Sequence, residues 1–165
     1  KTPTGKVEFI LNVLKGKKDA NGNECLIMPD YKQRDWYPDS KYPFFLINWK
    51  EATHTHARSQ NNKWLLELKP ENPLMINTKT AERLGLKTGD EVLVESKYGK
   101  MKAKVHLTEG IHPEVVGSQH GFGHWAMGEE AKGRGSSDAN LRPTKADPYG
   151  GQALHKECCV NIYKA

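Results

Sequence analysis

The most regular stretch of the chain lies between Asn77 and Thr108. Met101, Ala103, Val105 and Leu107 alternate with Lys102, Lys104 and His106, and Glu91 to Ser96 alternates in the same way. A period of two with a basic face predicts a half-buried strand. Tyr98-Gly99 between the two runs predicts an antiparallel hairpin with Val92, Val94, Ala103 and Val105 inward. Upstream, Ala81 and Leu84 are three apart and follow Asn77-Thr78, either of which can cap a helix start. Gly85 then suits a left-handed helix stop, with Leu86 folding back as the apolar contact. This predicts a short helix near Lys79–Leu84. The remaining apolar runs are brief: Tyr42 to Asn48, Trp64 to Leu68, Pro73 to Ile76, Ile111 to Val116 and Cys158 to Tyr163. All but the Trp64 patch read as strands. Many short strands, one short helix and long loops predict a mainly β, barrel-like domain.

Two regions break the pattern. Residues 15–40 are punctuated by Gly16, Asn21-Gly22-Asn23, Pro29 and Pro38, which places a boundary near Ser40. Before it, Lys6 to Leu14 is compatible with either a short strand or a helix. Residues 118–152 are rich in Gly, Ser, Asp and Pro, and so long a loop in a compact domain carries function or disorder. Residues 1–40 are therefore expected to be a linker or the trailing segment of a preceding domain, and 41–165 the barrel.

The chain has 165 residues, 36% apolar and 27% charged, enough for one compact domain with a core. No apolar run approaches the ~20 residues of a membrane span, and no apolar segment follows the first residues as in a signal peptide. Direct membrane insertion is not expected, and the fragment leaves its compartment open. The net charge of +5 comes from scattered lysines without interleaved aromatics, which argues against nucleic acid as the partner. The three cysteines, Cys25, Cys158 and Cys159, make no Cys-x-x-Cys pair, so zinc-ribbon and iron–sulfur spacings are absent. A bridge between the adjacent pair would be strained, which predicts free thiols.

Three segments concentrate polar chemistry. Ala52 to Asn61 packs hydroxyl, imidazole, guanidinium and amide groups into ten residues. Gln119 to Trp125 has two histidines and two glycines, which allow a close backbone approach or positive φ. Asp138 to Pro143, with Asp147 to Gln152, offers amides and carboxylates. A polar surface loop, a glycine turn with core aromatics and an Asp-Pro turn are the plain structural alternatives. Metal binding by His54 and His56 with His120 and His124 is another, although neither motif has a nearby carboxylate.

The ordered set Asn72-Pro73-Leu74-Met75-Ile76-Asn77, Ala81 to Val94, Gly99, Thr108, Ile111, Pro113, Val115-Val116, Gly121-Phe122-Gly123-His124-Trp125, Asn140-Leu141, Pro143 and Asp147-Pro148 resembles the C-terminal dinucleotide-binding domain of the dimethyl sulfoxide reductase family. Thr2 to Glu8 is similar to the segment entering that domain. Thr78 departs from a common proline and Glu114 from a common glycine.

The resemblance implies a six-stranded double-psi barrel over two molybdopterin guanine dinucleotides that hold molybdenum or tungsten. Thr53, His54, Thr55, His56 and Ser59 are then candidate pterin contacts, since neutral donors suit a pterin edge and Arg58 suits pyrophosphate. His120, Gly121, Gly123, His124 and Trp125 form a second group, and Asn140, Asp147 and Gln152 a third. No catalytic residue and no protein ligand to the metal is expected in this chain. An iron–sulfur cluster is expected only in a missing N-terminal part. Partners are the remaining domains of the same catalytic subunit and an iron–sulfur electron-transfer subunit. The Thr53 to Ser59 stretch resembles sulfur-oxyanion and polysulfide reductases. The alternative is a stand-alone double-psi barrel that binds without catalysing.

Overall fold

A computed structural model describes residues 2–28, 30, 31, 33, 36–126, 128–154, 156 and 158–165. The chain forms two compact units: Lys1–Asp35 with Thr144–Leu154, and Trp36–Pro143 with His155–Ala165.

Among the described residues of the first unit Cys25 is buried, and local polar contacts shape the turns. Lys18 and Glu24 bridge antiparallel around a turn whose Asp19 Oδ1 accepts from the backbone N–H groups of Asn21 and Asn23. Ala146 and Ala153 form a second such bridge. Within it, Asp147 Oδ1 accepts from the N–H groups of Tyr149 and Gly150, which makes it an Asx turn. The stretch from Lys6 to Leu14 is neither strand nor α-helix. Its only regular element is a 3-10 turn at Asn12–Leu14, and Val7, Phe9 and Val13 are exposed, so no packing face selects a longer element.

The second unit is a closed barrel. Its strands are β1 (Phe44–Trp49), β2 (Leu74–Asn77), β3 (Glu91–Ser96), β4 (Lys100–Thr108), β5 (Val115–Gln119) and β6 (Cys159–Lys164), joined in the circle β1-β5-β2-β4-β3-β6. β1 pairs parallel with β5, and β2 parallel with β4; the other four pairings are antiparallel. Two interleaved parallel pairs in a six-strand circle give the double-psi barrel. The expected hairpin is present, with Val92 opposite Ala103 and Val94 opposite Met101. Its inward residues, with Phe44, Leu46, Leu74, Ile76, Val116, Val160 and Ile162, fill the barrel.

Between β2 and β3 lies α2 (Thr78–Leu84). Asn77 caps it: its Oδ1 accepts from the Lys79 N–H at 3.0 Å, and its Nδ2 donates to the Ile111 carbonyl at 2.8 Å. Gly85 closes the helix at φ 64, and the Leu86 N–H returns to the Ala81 carbonyl. Two readings shift. The Trp64 patch is a helix, α1 (Lys63–Leu68), started by Asn62, whose side chain accepts from Trp64 and Leu65. The strand expected over Ile111–Val116 begins only at Val115, because the Asn77 amide and the Thr80 hydroxyl tie Ile111 and Pro113 to α2.

None of the three cysteines forms a disulfide. Burial pushes the Cys158 thiol up to about 11, and its Sγ donates to the Leu141 carbonyl at 2.9 Å. Cys25 is also buried, whereas Cys159 is half-buried. Titration of native protein with a thiol reagent at pH 8 should give one fast equivalent, from Cys159, and three after denaturation without reductant. Two fast equivalents in the native protein would contradict this burial order. Asn77→Ala should lower stability by about 1–3 kcal/mol, read as a shifted urea midpoint at unchanged m-value, since it removes a cap and leaves the Ile111 carbonyl without its donor.

Candidate functional site

The segment after β1 is built around His54, which is 7% exposed. His54 Nε2 lies 3.0 Å from the Lys69 carbonyl and Nδ1 lies 3.1 Å from Ser59 Oγ. A carbonyl only accepts, so Nε2 carries the proton. In the neutral ring Nδ1 accepts from the Ser59 hydroxyl, and Ser59 Oγ accepts in turn from the Thr55 N–H at 2.8 Å. This relay sets the 3-10 turn at His56–Ser59. It opens on His56 at φ 48, a left-handed conformation unusual for a side chain of this size. The Gln60 amide donates to the His56 carbonyl at 3.3 Å.

β5 brings the second segment alongside. The His120 N–H bonds the Trp49 carbonyl at 2.9 Å, extending the parallel β1–β5 ladder by one bond. Gly121 sits at φ 100, where a Cβ would lie 2.8 Å from the His56 carbonyl carbon. Gly123, at φ 78, would place a Cβ 2.3 Å from the Ser137 nitrogen. Both glycines are therefore required for the backbones to touch. The His56 and His120 rings meet edge to face at 5.7 Å, and Phe122 packs likewise on His54 at 5.3 Å. His124 Nε2 donates to the Gly121 carbonyl at 2.8 Å, and Trp125 is 82% exposed.

The third segment joins through Asp138, 2% exposed, in a 3-10 turn at Asp138–Leu141. Its Oδ1 lies 2.7 Å from His120 Nδ1, and its Oδ2 accepts from Asn48 Nδ2 and Arg142 Nε, each at 2.9 Å. Burial pushes this carboxyl up, but the Asn48 hydrogen bond, the Arg142 charge and His120 together outweigh it and hold it below the usual carboxylate range. Because a carboxylate only accepts, His120 Nδ1 carries a proton and Nε2 is turned away from Asp138. Asn140 is exposed, with its backbone carbonyl against Gly99. Asp147 and Gln152 lie in the first unit, the former in the Asx turn described above, the latter exposed with its carbonyl accepting from the Asp147 N–H.

Asn48 was not singled out by the sequence; Asn72 entered only with the family resemblance, and Gln119, Asp138 and Arg142 lay in the polar segments without a role of their own. Asn72 is buried; its amide nitrogen faces Ser118 Oγ and the Gln119 and Ser136 carbonyls, and its Oδ1 accepts from the Ser136 N–H. The one available signal was the spacing of four between Asp138 and Arg142, inside a loop where no helical pattern draws attention to it. Two buried oxygens have no hydrogen-bond partner among the described residues: Thr53 Oγ1 and Gln119 Oε1. Each flanks one of the meeting segments. Among the described residues no three His, Cys, Asp or Glu side chains gather as metal ligands do. His54, with both ring nitrogens engaged, is not free to join such a set.

The sign of the Asp138 shift sets a pH dependence. A carboxyl depressed on folding stabilises the protein above its unfolded value, near 3.9, and that stability is lost as pH falls through the lower folded value. Unfolding free energy measured with urea should hold from pH 7 to about 5 and fall below about 4. Asp138→Asn should flatten that acid slope. At pH 7 it should cost about 3–5 kcal/mol, because the buried Arg142 then loses the carboxylate 2.9 Å away. An unchanged acid slope in the variant would remove Asp138 as its source.

Comparison with known proteins agrees with this construction. Residues 44–159 match the family model described as molydopterin dinucleotide binding domain. The chain is 31% identical over 159 residues to the molybdopterin-containing subunit of thiosulfate reductase from Salmonella typhimurium, covering 94% of this chain and 20% of that protein. It is 32% identical over 149 residues to the molybdopterin-containing subunit of arsenate respiratory reductase from Chrysiogenes arsenatis, covering 81% and 18%. The chain thus spans about a fifth of the length of these relatives. Acetylene hydratase from Pelobacter acetylenicus shares the fold, with a TM-score of 0.74 at 21% identity over 99% of this chain and 24% of that one. A barrel of this topology, matched across its length from β1 to the start of β6, places the chain in the molydopterin dinucleotide binding domain family.

Proposed function

We propose that the barrel grips a molybdopterin guanine dinucleotide, in the bis form, within a larger molybdenum or tungsten oxidoreductase. The observation that carries this reading is the meeting of three polar segments remote in sequence: Gly121 on His56, Gly123 on Ser137, and His120 on Asp138. The residues suit the group. Thr53 Oγ1 and Gln119 Oε1 are buried oxygens without a protein partner, and a pterin edge carries ring N–H and amine groups to give them. His120 Nε2, turned away from Asp138, faces no protein partner among the described residues. Thr55, His56 and Arg58 add donors for anionic oxygens. His54 and Ser59 serve by shaping the loop, His124 by bracing Gly121, and Trp125 by its exposed ring. Asn140 adds an exposed amide beside the same turn.

When bound, the cofactor supplies the metal and the two-electron redox chemistry; this chain binds and orients it. Residues 1–40 are read as the trailing segment of a preceding domain, and 41–165 as the cofactor domain. The other four-fifths of a protein of the relatives' length would supply the metal's protein ligand, an iron–sulfur cluster and the remaining wall of the site, with an iron–sulfur subunit as redox partner. A sulfur oxyanion is the favoured substrate class, supported by the likeness to a thiosulfate reductase subunit.

The test uses the full protein that contains this chain. His120→Ala and Asn140→Ala should each lower molybdenum or tungsten and guanine-nucleotide content per purified protein while the barrel stays folded by circular dichroism. Losing one charge-assisted hydrogen bond corresponds to about 1.5–3 kcal/mol. Undiminished content in both variants would favour a stand-alone binding module instead.

A further inference from the structure

We propose that the outer wall of the β3–β4 hairpin carries a second ligand site, built for a small zwitterion of the α-amino-acid class. Met101, Ala103 and Val105 are buried in the barrel, so Lys102 and Lys104 stand on its outer side. Val92 and Val94 leave Glu91 on that side for the same reason. The loop that ends at Ser136 crosses this wall and encloses a cavity of about 220 Å3, with Glu71, Asn72, Glu91, Lys102, Lys104 and Ser136 in its lining. That volume is below the roughly 300–1,000 Å3 of sites for drug-sized ligands, and it suits a molecule of amino-acid size. The loop is anchored at both sides of the cavity. The Ser136 hydroxyl donates to the Lys102 carbonyl, and the Ser136 N–H donates to Asn72 Oδ1 at 2.7 Å. Gly135 runs so close that a Cβ would lie 2.3 Å from that same oxygen. The walls are therefore set before any ligand arrives.

The charges around the cavity select the ligand. Lys104 Nζ is neutralised by Glu71, at 3.2 and 3.1 Å from its two carboxylate oxygens. Glu91 and Lys102 are left over: neither side chain has an ion-pair or hydrogen-bond partner among the described residues. In the ladder Glu91 lies opposite Lys104 and Lys102 opposite Leu93, so Glu91 and Lys102 are diagonal neighbours, roughly 7–8 Å apart. A simple anion entering here gains Lys102 but is repelled by Glu91, and a simple cation meets the reverse. A molecule that carries both charges satisfies both: its ammonium donates to the Glu91 carboxylate, and its carboxylate accepts from Lys102. Pro73, Gly133 and Gly135 also line the cavity and leave uncharged room for the rest of the molecule. Asn72 donates to the Gln119 carbonyl at 2.8 Å as well, so one buried amide ties this cavity to the end of β5.

This site stands on the groups of the hairpin wall and does not depend on the pterin reading. Calorimetric titration at pH 7 of the full protein that contains this chain decides it. The probes are glycine, L-alanine and L-leucine, with acetate and ethylammonium as the two half-molecules. At least one amino acid should bind at least about tenfold tighter than either half-molecule, the factor equivalent to one charge-assisted hydrogen bond. Glu91→Gln and Lys102→Gln, both exposed changes outside the barrel core, should each lower that affinity at least about tenfold. No binding by any of the three amino acids, half-molecules that bind as tightly, or an affinity unchanged in either variant overturns the proposal. Metal retention in His120→Ala reports on the pterin reading separately.

Discussion

A negative charge taken out of water has to be met on every side, and Asp138 is where this chain meets that demand. Its two oxygens are satisfied by the end of β1 through Asn48, by the end of β5 through His120, and by its own turn through Arg142. None of these partners is near another in sequence except Asp138 and Arg142. The carboxylate therefore dictates where three chain segments lie, and a small displacement of any one leaves a buried charge short of a partner. Its position between Arg142 and His120 also selects which imidazole nitrogen faces outward, so one buried group governs both the packing and the chemistry displayed.

Close backbone contact completes what that charge begins. At Gly121 and Gly123 the chain passes so near to His56 and Ser137 that a methyl group would collide with main-chain atoms. Asn72 performs the same task with hydrogen bonds, anchoring the loop at Ser136 to the end of β5. The polar loops are thus held by backbone and amide geometry, while the apolar barrel below supplies a rigid base. That division lets the rim remain polar without lowering the density of the core.

How legible this was depended on the range of the interaction. The β3–β4 hairpin and α2 were readable because alternation, cap and left-handed glycine are local signals. α1 was not, because a six-residue helix shows less than two turns of period and its start rests on one asparagine. The resemblance of scattered residues to a reductase family indicated the barrel, which no local pattern could have closed into a circle. In the polar segments, the histidines drew attention, yet His54 proved to be wired into its own loop. Asn48, Gln119 and Asp138 matter through partners up to 90 residues away, and composition gives no hint of such pairing.

The strand circle has a temporal consequence. β6 is the last strand of the barrel to be made, and it lies between β1 and β3, pairing with both. Until Lys164 has left the ribosome, β1 and β3 each have an open edge, and the parallel β1–β5 pair must bridge some 70 residues. Such long-range pairing slows folding and leaves strand edges open to wrong partners. A nascent chain of this design stays vulnerable until its synthesis passes the final strand, so protection by a chaperone is most useful in that interval, before the rim is assembled to receive anything.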